Sequence, residues 1–247
     1  PEYYSLSDPT SRRKRILAQE AEKIIAISES TKKDLIDLFD IPAKRIEVIH
    51  LANAMNVHGE SAAPLTLPNR YILFVGSRTI YKNFYFFINC IVSLMGEDSS
   101  LQVVCTGLPF NAKEKAFFEQ HGISERVHCY AASDDNLSSV YNLALAFVFP
   151  SLYEGFGLPV LEAFGSGCPA ILGRSGSLPE IGGDAAVYFD PKDALSLKAA
   201  LTDVLSNDQR RLEMIRRGKS RNKLFSWEKT ASKTEALYRG IVGVNAN

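Results

Sequence analysis

A chain of 247 residues with 46% hydrophobic content is long enough to bury one large core, or one domain and part of a second. Its 28 Lys and Arg balance its 28 Asp and Glu, which removes the cationic surplus that holds nucleic acid by counterion release. No apolar run approaches bilayer length and the opening Pro-Glu-Tyr-Tyr is unlike a signal peptide, so neither a membrane span nor a leader is expected.

From the amino terminus, a helix starting near Pro9 leads to a strand over 23–27. A helix capped by Ser28 or Ser30 then ends near Phe39, and a strand over 45–50 follows. This first unit, residues 1–60, has too few elements to close a core and reads as the remnant of a preceding domain whose remainder is missing. Residues 53–69, with Gly59, Pro64 and Pro68, read as the linker.

From Tyr71 onward, β-rich runs at 71–75, 101–105, 126–129, 146–149, 169–172 and 186–188 alternate with helical stretches. Several runs are apolar throughout, as strands covered on both faces must be. The alternation predicts an α/β fold, a Rossmann-like doubly wound parallel sheet over 61–225, with ligands bound at the carboxyl ends of its strands. Helices over 195–205, 208–224 and 227–242 complete the chain, and the last, within 226–247, is expected to pack back toward the amino-terminal domain. Cys90, Cys105, Cys129 and Cys168 are far apart and each sits in an apolar run, which reads as buried thiols in a reducing, cytoplasmic compartment.

The segment Pro150-Ser151-Leu152-Tyr153-Glu154-Gly155-Phe156-Gly157-Leu158-Pro159-Val160-Leu161-Glu162 leaves a buried strand, turns through two glycines and enters a helix with proline near its first turn. Backbone N–H groups at such a helix start, with the dipole behind them, suit phosphate or sugar oxygens. Glu154 falls at the strand's carboxyl end and Glu162 in the helix. With the following Ala163-Phe164-Gly165-Ser166-Gly167-Cys168-Pro169, this stretch resembles the E-x7-E motif of retaining GT-B glycosyltransferases of family four, mannosyltransferase-like members included. The resemblance extends from about Lys23 to Tyr238.

The resemblance implies the carboxyl-terminal half of a GT-B fold that binds a nucleotide-diphosphate sugar, GDP-mannose first and UDP-glucose next. Glu162 would accept hydrogen bonds from the ribose, Glu154 would contact the donor sugar, and the amides of Gly155, Phe156, Gly157 and Leu158 would hold sugar and diphosphate oxygens. In the segment Gly76-Ser77-Arg78-Thr79-Ile80-Tyr81-Lys82, Ser77 stands where many members have arginine. Arg78 and Lys82 would then neutralise the diphosphate and stabilise it as it leaves. The loop containing Ala131 would border the base with main chain, and the polar start of Ser175-Gly176-Ser177 would line the crevice.

The implied reaction moves a hexose, with retention, to a saccharide or lipid-linked acceptor, as in bacterial surface-polysaccharide assembly. Retention by front-face displacement and by a covalent intermediate both stay open. So do a GT-B sugar phosphorylase or sucrose-type synthase and a non-catalytic nucleotide-sugar-binding module. Without the rest of the amino-terminal domain, the chain is expected to bind donor weakly and to transfer little. The chain contains no Asp-x-Asp, so no metal or other cofactor is expected. Val160 at the third glycine position argues against a dinucleotide fingerprint. His50, His58, His121 and His128 have no metal spacing, and Trp227 is expected to be a packing residue. The run Arg12-Arg13-Lys14-Arg15 reads as a solvated helix face, or as a basic patch for peripheral association with the inner face of the cell membrane.

Overall fold

The computed structural model describes residues 7–55 and 66–243. Most of the expected linker, the boundary drawn at residues 60 and 61, and His58 lie outside the described residues.

The first unit runs α1 (Pro9–Glu20), β1 (Ile24–Ala26), α2 (Glu29–Phe39) and β2 (Ile46–Val48). Ser28 is the cap of α2, its hydroxyl accepting from the Thr31 N–H, while Asp40 ends the helix in the left-handed region with φ of 58°. β1 and β2 form a two-stranded parallel sheet over a small cluster of Ala26, Ile41 and Ile46. Arg12, Arg13, Lys14 and Arg15 are all exposed on α1.

The second unit alternates strand and helix: β3 (Tyr71–Val75), α3 (Phe84–Glu97), β4 (Gln102–Thr106), α4 (Ala112–Gln120), β5 (Val127–Tyr130), α5 (Asp134–Asn142), β6 (Ala146–Phe149), α6 (Leu158–Gly165), β7 (Ala170–Gly173), α7 (Leu178–Gly182) and β8 (Val187–Phe189). Helices α8 (Ala194–Leu205), α9 (Asp208–Asn222) and α10 (Trp227–Val242) follow. The six strands are all parallel and lie in the order β5-β4-β3-β6-β7-β8. That is the doubly wound arrangement expected from the alternation, and it reverses between β3 and β6.

The sheet is covered on both faces, and its central strands β3 and β6 accordingly carry apolar or aromatic side chains at every position. Alternate residues go to opposite sides: Ile72, Phe74 and Val148 to one cluster with α3 and α8, Tyr71, Leu73, Phe147 and Phe149 to the other with α5 and α6. β3, β6 and β7 are buried from end to end. Cys90, Cys105 and Cys168 are buried free thiols and Cys129 is partly exposed. Among the described residues, no helix is long and apolar enough to cross a membrane.

Candidate functional site

Two loops meet over the carboxyl ends of β3 and β6, where the sheet order reverses. β3 ends at Val75, and Gly76 turns the chain with φ of +114°, a conformation L side chains rarely adopt. A Cβ built on Gly76 would meet nothing within 4 Å, so the space over this strand end is open. The Leu152 N–H donates to the Tyr81 carbonyl at 2.7 Å and stitches the loop after β6 to the loop after β3.

Stitching brings two of the expected site residues together. Lys82 Nζ lies 2.6 Å from Glu154 Oε1, with only 12% and 13% of the two side chains exposed. The ammonium also sits 4.7 Å from the centre of the Phe149 ring. An ion pair this shielded interacts far more strongly than a surface pair, and its cation stands beside the open end of β3.

Glu162 stands in the second turn of α6 and accepts a hydrogen bond of 2.9 Å from the Tyr141 hydroxyl of α5. Burial, and then the Glu162 charge, push the Tyr141 phenol well above its ordinary pKa, so it remains a donor. Helix α6 begins on Gly157, in the left-handed region with φ of 98°, and no side chain caps it. Pro159 follows in the first turn, where its missing N–H costs nothing.

Arg78 departs from the expectation that it faces the crevice. Its guanidinium turns toward α4, where Nε lies 2.6 Å from Glu114 Oε1, with 7% and 4% of the side chains exposed. It also donates to the carbonyls of Leu108 at 2.7 Å and Pro109 at 3.1 Å, and lies 4.9 Å from the Phe110 ring. The physical reason is Glu114: its carboxylate, already accepting from the Asn111 N–H as a cap of α4, is buried and needs a cation. Ser77 is exposed beside Thr79, and Ala131 is exposed in the loop after β5.

Sequence reasoning missed the groups that hold the Glu154 loop from behind. Ser177 does not line the crevice, since it is fully buried; its N–H donates to the Glu154 carbonyl at 3.1 Å and its hydroxyl lies 2.8 Å from the Phe156 carbonyl. From the first unit, Ser28 Oγ and Thr31 Oγ1 donate to the Gly155 carbonyl at 2.7 and 3.1 Å. Glu180 ties the units together, accepting from the Glu29 N–H at 3.0 Å and pairing with His50 Nε2 at 2.6 Å. The signal available in sequence was a helix-capping serine and two serines flanking Gly176, which on their own predict only local turns. Trp227 is 44% exposed and lines an open groove along α10 with Tyr238 and Val242, where a packing residue was expected. Thr230, one turn on and lining the same groove, donates to the His50 carbonyl of the first unit at 2.7 Å and ties α10 to that unit.

Residues 61–221 match the model of the family described as glycosyl transferases group 1. The chain belongs to this family. Among curated relatives, this group 1 glycosyltransferase sequence is 30% identical over 232 residues to O-antigen chain mannosyltransferase B of Escherichia coli, covering 89% of this chain and 61% of that protein. It is 28% identical over 232 residues to the MMP alpha-(1->4)-mannosyltransferase of Mycolicibacterium hassiacum, covering 92% and 56%. The chain thus spans only part of the length of these relatives. Among solved structures, sucrose-phosphate synthase of Thermosynechococcus elongatus superimposes with a TM-score of 0.83 at 22% identity, covering 96% of this chain and 63% of that one. HepE of Anabaena, solved in complex with UDP and glucose, gives 0.80 at 17% identity, covering 96% and 68%. At these identities the structures speak for the fold, the carboxyl-terminal half of a GT-B architecture.

Proposed function

We propose that this chain is the donor-binding half of a glycosyltransferase that moves a hexose, with retention, from a nucleotide-diphosphate sugar to a saccharide or lipid-linked acceptor. The observation that carries the reading is the meeting of Lys82 and Glu154, 2.6 Å apart, at the strand-order reversal of a doubly wound sheet. Such a site offers one cation for a diphosphate and one carboxylate for sugar hydroxyls in a crevice of low dielectric.

In this reading the donor diphosphate draws Lys82 away from Glu154 as it enters. The bond between the sugar's anomeric carbon and the phosphate oxygen breaks, an acceptor hydroxyl bonds to that carbon, and the hydroxyl proton leaves toward the departing phosphate. Lys82 stabilises the charge that grows on the leaving oxygen, which makes its contact stronger in the transition state than in the ground state. Glu154, freed from the pair, accepts from the sugar hydroxyls. Glu162, oriented by Tyr141, accepts from the ribose. Arg78, engaged by Glu114, supports the loop wall and leaves the diphosphate to Lys82. That mannosyltransferases, one of them of an O-antigen chain, are among the curated relatives favours GDP-mannose as donor and surface-polysaccharide assembly as setting. The exposed basic run of α1 suits an acceptor held at an anionic membrane surface.

Calorimetry with GDP and UDP tests this. Loss of a charge-assisted hydrogen bond costs about 1.5–3 kcal/mol, so Glu162→Ala and Lys82→Ala are each expected to weaken nucleotide binding roughly 10- to 150-fold. Unaltered affinity in both variants would leave the crevice without a ligand and end the reading.

A further inference from the structure

The three peptide groups that follow Glu154 are held by their carbonyls, and each hold comes from a residue that the proposed chemistry does not use. The Glu154 carbonyl accepts the Ser177 N–H at 3.1 Å, which leaves the single hydroxyl proton of Ser177 for the Phe156 carbonyl at 2.8 Å. The Gly155 carbonyl, between them, accepts from Ser28 Oγ and Thr31 Oγ1 at 2.7 and 3.1 Å. Ser28 serves two elements with one hydroxyl: its lone pair caps α2 by accepting the Thr31 N–H at 3.0 Å, and its proton goes to the loop. Ser28 and Ser177 are both fully buried, so neither hydroxyl has water as an alternative partner.

A trans peptide points its N–H opposite to its C=O. No peptide bond among the described residues is cis. The N–H groups of Gly155, Phe156 and Gly157 therefore face away from Ser177 and from the α2 cap. None of the three donates to an acceptor among the described residues, although Phe156 and Gly157 are buried. Backbone N–H groups without an acceptor in the protein are uncommon away from solvent, and three in succession with their carbonyls fastened form a preset donor array.

We infer that Ser28, Thr31 and Ser177 are positioning residues that aim the N–H groups of Gly155, Phe156 and Gly157 at the sugar and diphosphate oxygens of the donor. Ser28 and Thr31 come from the first unit, so that unit shapes the donor site by a direct contact with Gly155. This inference rests on the donor-site reading above.

The test compares the affinity of the whole chain for GMP, GDP and GDP-mannose, and for UMP, UDP and UDP-glucose, by calorimetry. Loss of the array is expected to weaken the nucleotide sugar at least tenfold in Ser28→Ala/Thr31→Val and in Ser177→Ala, with the monophosphates, which do not reach these amides, held within twofold. Restoring one hydroxyl, in Ser28→Ala/Thr31→Ser, is expected to recover most of the loss. A purely structural defect would weaken monophosphate and nucleotide sugar alike, and that result overturns the inference. So would wild-type affinity for the nucleotide sugar in both hydroxyl-deficient variants while Glu162→Ala still abolishes binding, an outcome that leaves the donor-site reading standing. Absence of any nucleotide binding by the wild-type chain removes both. Thermal unfolding of each variant checks that it folds; if the double variant does not, Ser177→Ala, on the other side of the loop, decides.

Discussion

Replacing Arg78 by methionine is expected to destabilise the chain by about 3–5 kcal/mol, the cost of leaving one partner of a buried ion pair without the other. The partner left behind is Glu114, 4% exposed, with its carboxylate 2.6 Å from the guanidinium it would lose. The same variant releases the carbonyls of Leu108 and Pro109, and so loosens the loop after β4 from the loop after β3. Removing both charges together, in Arg78→Met/Glu114→Leu, is expected to recover most of that stability, less about 1 kcal/mol for the lost cap of α4. Urea unfolding of the three proteins measures this. A double variant no more stable than Arg78→Met would show that the pair is not what the arginine is there for. Nucleotide affinity of the double variant, expected within about threefold of wild type, separates a loop brace from a diphosphate ligand: a tenfold or greater loss would return Arg78 to the crevice.

Gly176→Ala is expected to damage both stability and binding. Gly176 has φ of +51°, and a Cβ there would lie 2.5 Å from the carbonyl oxygen of Glu154 and 3.0 Å from its nitrogen. Both are backbone atoms, so no side chain can swing aside. The left-handed conformation costs an alanine about 1–2 kcal/mol and the overpacking roughly 1–3 kcal/mol more, for a loss of about 2–5 kcal/mol. The atom displaced is the acceptor for the Ser177 N–H, so the carboxylate of Glu154 moves off Lys82 along with its main chain. A shift in the unfolding midpoint accompanied by weakened nucleotide-sugar binding is the expected result. An alanine variant with an unchanged midpoint would mean that the loop yields freely and that its geometry is not preset.

The strands most legible in the sequence were those buried throughout. The runs 71–75 and 146–149 match the observed strands to the residue, because a strand covered on both faces is apolar at each position and these two stop at Gly76 and Pro150. The other four strands of the six-stranded sheet start and end one residue later than their runs, while β1 and β2 are shorter than theirs at both ends. β4 starts at Gln102 because its register pairs Gln102 with Tyr71, and β7 ends on Gly173, paired with Phe189, neither of which periodicity registers. Lys82 and Glu154 are each legible as a polar residue past a strand end, and it is β3 and β6, parallel and side by side, that bring the two together. Arg78 was not. It lies two residues past the glycine of the loop, but its partner is 36 residues away on α4, and side-chain direction in a loop is chosen by the partner it finds. The tie from Ser28 to Gly155 spans 127 residues. Nothing local to an ordinary helix cap announces that its proton is spent on another domain.

By itself, the sequence determined the class of fold, the order of its strands and helices, and the two loops that meet where the sheet reverses. Those follow from local properties: apolar periodicity, caps, and glycines at turns. Only the tertiary structure decided which partner each charge finds, because that depends on distances between residues remote in the chain. It sent Lys82 toward Glu154 and Arg78 toward Glu114, and it fastened three successive carbonyls so that their amides are left facing the other way.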